Sequence, residues 1–229
     1  MKAIGTMLGA LLLPAVCLAA QGEVSFLEGN ATRHPAAGAS VVLSLKSAVS
    51  QGDTLETAAG ARLEISLPDK SVVRLGPSSR LKLDEAAFSD SARSFKATLV
   101  LGKVWSKVSS VFGSERSFEI KTEHAVAGVR GTIFRVDADK AAAVLVKVYA
   151  GTVAVAGVAI TPAPKKPGER KQVPGPKQVS KQQWERLVSA MMQVRISAAG
   201  VPDEPTRFSE AEEVHDAFAL WNRGRDGSD

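Results

Sequence analysis

Residues able to do covalent or metal chemistry are sparse in this chain. His34, His124 and His215 are its three histidines, and none stands at metal-ligand spacing from another His or a Cys. The single cysteine, Cys17, lies in an N-terminal segment expected to be removed, which leaves no disulfide, thiolate metal site or Cys nucleophile. No G-x-S-x-G elbow, phosphate loop or G-x-G-x-x-G run occurs. Asp53, Glu56, Glu64, Asp69 and Asp84 offer the carboxylates that a glycoside hydrolase uses in pairs. They fall at turns or on wet strand positions, where a carboxylate is ordinarily just solvated. No metal or cofactor is implied, and recognition is favoured over catalysis.

Two places suit recognition. In His124–Phe134, Gly128 and Gly131 flank Arg130, with Thr132 following. Glycines there suit a backbone that turns, bulges or packs too tightly for a Cβ. An Arg held between them can aim its planar fork of donors at carbonyl oxygens or an acidic group. It either ties the turn to neighbouring loops or forms an anion or partner site. Trp105 stands between Lys103 and Lys107; it either covers the core from the rim or stacks on a sugar.

Strands must position these residues. Phe118, Ile120 and Thr122 alternate into the glycine stretch, and Phe134 and Val136 alternate out of it. Ala61, Leu63, Ile65 and Leu67 alternate with Arg62, Glu64 and Ser66, a half-buried strand with one wet face. Turns at Gly52-Asp53, Pro68-Asp69-Lys70 and Gly76-Pro77-Ser78 punctuate short strands every 8–12 residues or so, the spacing of an all-β sandwich or roll. Residues 21–160 are therefore read as an all-β domain of short antiparallel strands, stacked as a sandwich or solenoid-like roll.

The flanks differ. Residues 1–20 read as a secretory signal peptide, with Lys2, an apolar run from Ile4 to Leu13 and small residues near Ala19-Ala20. Cleavage would leave no membrane span, and the run is short for an uncleaved anchor. Residues 161–178 form a Pro/Lys-rich linker, solvated or in loose peripheral contact with an anionic surface. Residues 179–224 read as two helices. The first carries a Ser180/Gln183 capping box and Trp184, Leu187, Val188, Met191 and Val194 at helical spacing. The second carries a Ser209/Glu212 box and an Ala211, Val214, Phe218, Trp221 stripe, with Gly224 as its stop. Both stripes pack on each other or the β-domain, or dock on a partner. The net charge of +5 is too modest to argue for nucleic acid.

A family resemblance runs through the β-region. Ala125–Phe134 resembles the "T-P-x-A-x-A-G-V-R-G-T-x-F" signature of FecR-type periplasmic domains. Gly52–Thr57, Leu67–Ser79, Gly102–Trp105 and Val148–Val153 resemble that family's "G-D-x-L-x-T", "L-x-D-G-S-x-x-R-L-G-P-x-S", "G-x-V-W" and "V-x-x-G-x-V" steps, in order. Lys70 stands where the family usually has Gly, and Glu123 where it often has Pro. The resemblance implies a non-enzymatic, periplasmic or secreted binding or scaffold module that recognises an envelope protein or glycan. The alternatives are an accessory relaying the occupancy of a TonB-dependent transporter to a regulator and, from another class, an envelope glycan hydrolase. The founding type has a cytosolic helical part that handles a sigma factor. Only the signal-like segment precedes the β-region here, so direct sigma-factor regulation is not expected.

Overall fold

A computed structural model describes residues 21–89, 92–109, 115–129, 131–141, 143–158 and 185–227. The signal-like segment, the Pro/Lys-rich linker, the Ser180/Gln183 box, Trp184 and Arg130 lie outside them. In chain order the strands are β1 (Gly22–Glu28), β2 (Ala31–His34), β3 (Val41–Val42), β4 (Ala48–Val49), β5 (Thr54–Thr57), β6 (Arg62–Ser66), β7 (Val72–Leu75), β8 (Arg80–Phe88) and β9 (Ala92–Lys107). They continue as β10 (Glu115–Lys121), β11 (Ala125–Val129), β12 (Ile133–Ala138), β13 (Val144–Ala150), β14 (Thr152–Gly157), β15 (Glu185–Ser189), β16 (Met192–Ile196) and β17 (Thr206–Arg207). A 3-10 turn at Glu210–Glu213 leads to one α-helix, α1 (Ala217–Asp226).

The strands sort into two open sheets. Sheet A runs β4-β1-β6-β7-β9-β12-β13-β16-β17. Sheet B runs β3-β2-β5-β8-β9-β10-β11-β14-β15. The long β9 belongs to both. Up to Leu101 it pairs with β8, and from Gly102 it pairs with β12 and then β7. Gly102 makes the switch possible: its φ is +97°, and a Cβ there would stand 2.5 Å from Ser79 Cα. Among the described residues the β9–β10 pairing alone is parallel; the other ladders are antiparallel.

Alternation drives the two inner faces together. Leu63, Ile65, Val73, Leu75, Val104, Phe134, Val136, Val146 and Val148 from sheet A share one buried cluster with Leu55, Leu81, Leu99, Phe95, Ile120, Val153 and Val155 from sheet B. Phe118 of sheet B meets Phe134 of sheet A edge to face, with ring centroids 6.2 Å apart. The expected mostly β architecture is present, with the C-terminal part corrected. Residues 185–196 form no helix; they are the hairpin β15–β16. Its strands extend β14 in sheet B and β13 in sheet A, so the open edges left by the β13–β14 hairpin recruit the segment. The apolar residues at helical spacing are divided by this geometry: Val188 and Val194 enter the core, while Leu187 is 70 % exposed. The second expected helix is also corrected: the Ser209/Glu212 box belongs to the 3-10 turn Glu210–Glu213, and only Ala217–Asp226 is α-helical, as α1. It starts at an Asp216 cap, which accepts from the Phe218 and Ala219 N–H groups, and continues past Gly224. Among the described residues no helix is long and apolar enough to cross a membrane.

Lys70 keeps the turn where the resembling family usually has Gly. It adopts φ +68°, while the Lys70 N–H donates to the Leu67 carbonyl at 3.0 Å and the Ser71 N–H to Asp69 Oδ1 at 2.9 Å.

Candidate functional site

The glycine stretch ends β11 and opens β12. Gly131 has φ +64°. Thr132 is buried, and its hydroxyl has no hydrogen-bond partner among the described residues. Its carbonyl accepts from Val108 N–H at 2.8 Å. The β13–β14 turn packs against this corner: Gly151, at φ +82°, sits so close that a Cβ would meet Gly131 O at 2.9 Å. Gly128 is different. Its backbone is ordinary strand, and an added Cβ would find nothing nearer than Ala154 O at 4.0 Å. It forms the floor of a groove of about 640 Å³ on the outer face of sheet B. Glu119, Gly128, Ala154 and Leu187 face one another across it, strand by strand.

Trp105 lies apart from that groove, on the outer face of sheet A, in a register row that crosses eight strands: Phe26, Glu64, Arg74, Trp105, Arg135, Lys147, Gln193 and Thr206. Such positions are solvated on an open sheet. Here the segment from Phe208 to Asp226 lies over them, and Trp105 is only 1 % exposed. Its ring packs on Tyr149 at 4.2 Å between centroids, and its indole N–H donates to Asp226 Oδ2 at 2.9 Å. The Trp therefore covers sheet A without reaching solvent.

The ionic groups beneath the segment are paired. Arg74 donates to Glu64 at 2.6 Å and to Asp226 at 2.6 Å. Arg225 donates to both oxygens of Glu64, at 2.8 and 2.9 Å. Burial alone would raise the Glu64 carboxyl, but hydrogen bonds from Arg225, Arg74 and Ser25 outweigh it and hold the pKa down at about 2. Arg135 donates to both oxygens of Asp137, at 2.6 Å each, and to Asp216 at 2.7 Å. Burial works against its charge, yet those carboxylates push its pKa further up. Asp216 is held below its usual range because Arg135, the Ala219 N–H and Lys103 outweigh its burial. Glu213 Oε1 accepts from Lys147 and from the Tyr149 hydroxyl, each at 2.9 Å. Burial and then Glu213's charge push the Tyr149 phenol up. The acidic C-terminal stretch thus neutralises this face; the basic linker lies outside the described residues.

The remaining motif steps interlock nearby. The Thr57 hydroxyl donates to Gly76 O at 2.6 Å and accepts from Ser79 N–H at 2.9 Å. Ser79 Oγ in turn accepts from Lys103 N–H at 2.9 Å, beside the Gly102 switch. Three sequence steps far apart in the chain are thereby one buried knot.

Residues 53–154 match the family model of the FecR protein. The chain carries a FecR domain. The knot of Thr57, Gly76, Ser79 and Gly102 lies inside the FecR match, as do Arg74, Trp105 and Gly128; the segment over sheet A lies beyond it. Two crystal structures of a proposed anti-sigma factor from Parabacteroides distasonis ATCC 8503, at 1.65 and 2.50 Å resolution, resemble the chain with 17% sequence identity and a TM-score of 0.47. Each alignment covers 67% of this chain and 59% of that one, so the chain spans under two thirds of the length of these neighbours. No curated protein matches the chain. Among the described residues no group of three or more His, Cys, Asp or Glu is placed to hold a metal ion. Sequence reasoning took Glu64 only as a solvated carboxylate and missed Arg74, Arg135 and Lys147. Their signal was charge recurring on the supposedly wet face of consecutive strands.

Proposed function

We propose that this protein is a non-enzymatic, signalling-related FecR-type module of the bacterial envelope, exported to the periplasm, that works by holding a protein partner. The observation that carries this reading is the groove over Gly128. Gly in a strand interior weakens the strand unless something must approach the backbone. No neighbour requires this one, so its effect is an open trough bordered by the exposed Leu187. A protein edge or side chain fits such a trough, and Gly131 and Thr132 shape the corner beside it. The glycan reading drew on Trp105, whose ring is engaged by Tyr149 and α1, so a protein partner is preferred. The test is capture from native envelope after mild crosslinking, with wild-type protein and Gly128→Val. Valine suits a strand and fills the trough. Loss of a specific crosslinked partner with an unchanged melting temperature supports the reading. Equal capture by both proteins refutes it.

A further inference from the structure

The C-terminal segment over sheet A joins its surface through ion pairs set among a few aromatic anchors. Three of its five carboxylates, Glu213, Asp216 and Asp226, each meet a cation of the sheet: Lys147, Arg135 and Arg74 respectively. Its aromatic anchors are Phe208, against Tyr149, and Phe218 and Trp221, under Arg135 and Arg74. Val214 and Leu220, the remaining large apolar residues of the turn and helix, are exposed.

The two buried arginines do not depend on this cover for a counter-charge, whereas Lys147 draws its carboxylate, Glu213, from the segment. Without it, Arg74 retains Glu64 and Arg135 retains both oxygens of Asp137. Each buried arginine thus holds one carboxylate from its own sheet and one from the segment. The cover also fits imperfectly. Glu213 is 2 % exposed, yet its Oε2 has no hydrogen-bond partner among the described residues, a deficit that costs stability in place. The segment lies outside the matched FecR region and follows directly on the two-residue strand β17.

We infer that the outer face of sheet A is a second protein-binding surface, built for an acidic helical segment bearing aromatic side chains, and that residues 208–226 are its intramolecular occupant. A partner helix that presents carboxylates to Arg74, Arg135 and Lys147 and a ring beside Tyr149 would take the same place. Opening exposes Trp105, Tyr149 and the free donors of both arginines together. This surface is separate from the Gly128 groove, so it stands or fails independently of the function proposed above.

The test uses the full chain. Hydrogen exchange of the unmodified protein should show α1 opening by itself, with protection about 100-fold or more below that of β12 and β13. A fluorescent peptide with the sequence of residues 208–227 should bind the Asp216→Asn/Asp226→Asn chain about tenfold or more tightly than it binds wild type, since the peptide keeps the carboxylates that the variant's own segment has lost. The same peptide with Glu213, Asp216 and Asp226 replaced by their amides should not bind. Exchange of α1 only by global unfolding would overturn the inference without any variant. So would a folded double variant that ignores the peptide, or equal binding of the amide peptide. Concentration-dependent dimerisation of the variant would identify a second copy of the chain as the occupant and overturn the heterologous partner.

Discussion

Replacing Glu64 by Gln tests the charge network where it is densest. Glu64 accepts from Arg74 and Arg225 and is almost wholly buried. At neutral pH the substitution removes the negative charge that faces Arg74 and Arg225, and leaves Arg74 its contacts with Asp226 and Asn222. Breaking a buried pair from one side costs about 3–5 kcal/mol. The acid limb gives an independent magnitude. The carboxyl is lowered on folding from 4.5 to about 2, so its contribution is complete above pH 4.5 and disappears as pH falls towards 2. A displacement of that size corresponds to about 3 kcal/mol. The two figures agree, and together they predict a specific curve. Urea denaturation followed by tryptophan fluorescence should place Glu64→Gln about 3 kcal/mol or more below wild type at pH 6. The gap should close to about 1 kcal/mol at pH 2. The Asp216 carboxyl is lowered as well, but this holds in both proteins and leaves the difference intact. Parallel curves from pH 6 to pH 2 would refute the assignment of Glu64 as the charged hub of the network.

Other expectations follow from the backbone and the motif knot. Lys70→Gly removes a left-handed strain at φ +68° and should raise stability by about 1 kcal/mol in thermal or urea melts. Gly102→Ala must fit a methyl against Ser79 at φ +97°; a loss of about 2–5 kcal/mol is expected, with soluble yield as the first readout. Thr57→Val keeps the shape but strands the Ser79 N–H that Thr57 Oγ1 accepts, so it should cost about 1–3 kcal/mol by denaturant melt. Gly128→Val should change stability by no more than about 0.5 kcal/mol while removing partner capture.

What could be read in the residues was whatever repeats locally. Period-two alternation placed the strand around Leu63 and Ile65 correctly, and the turns at Gly52, Pro68 and Gly76 lie where the chain reverses. The hairpin from Glu185 to Ile196 was misread because Leu187, Val188, Met191 and Val194 satisfy helical spacing equally well. The deciding term is the pair of unpaired edges on β13 and β14, which no local window contains. Glu64 was read as solvated for a similar reason. Its strand does have an outer face, but Arg225 reaches Glu64 from 161 positions away and Asp226 reaches the neighbouring Arg74 from 152. The aromatic and acidic residues of the C-terminal helix were visible; the face they cover was not.

The central position of β9 has a consequence for how the chain can be made. In both sheets every strand before β9 lies on one side of it and every strand after it on the other. In sheet A, β1 is flanked by β4 and β6, and then β7, β9, β12, β13, β16 and β17 follow outward. Sheet B grows likewise from β2, with β3 on one side and β5 onward on the other. No later strand has to be inserted between two that are already paired. A chain emerging amino-terminus first can therefore assemble by terminal accretion alone, each new strand capping the aggregation-prone margin left by its predecessor. The last element to arrive carries Asp226 to Arg74 and Asp216 to Arg135, latching the earliest-formed half to the latest.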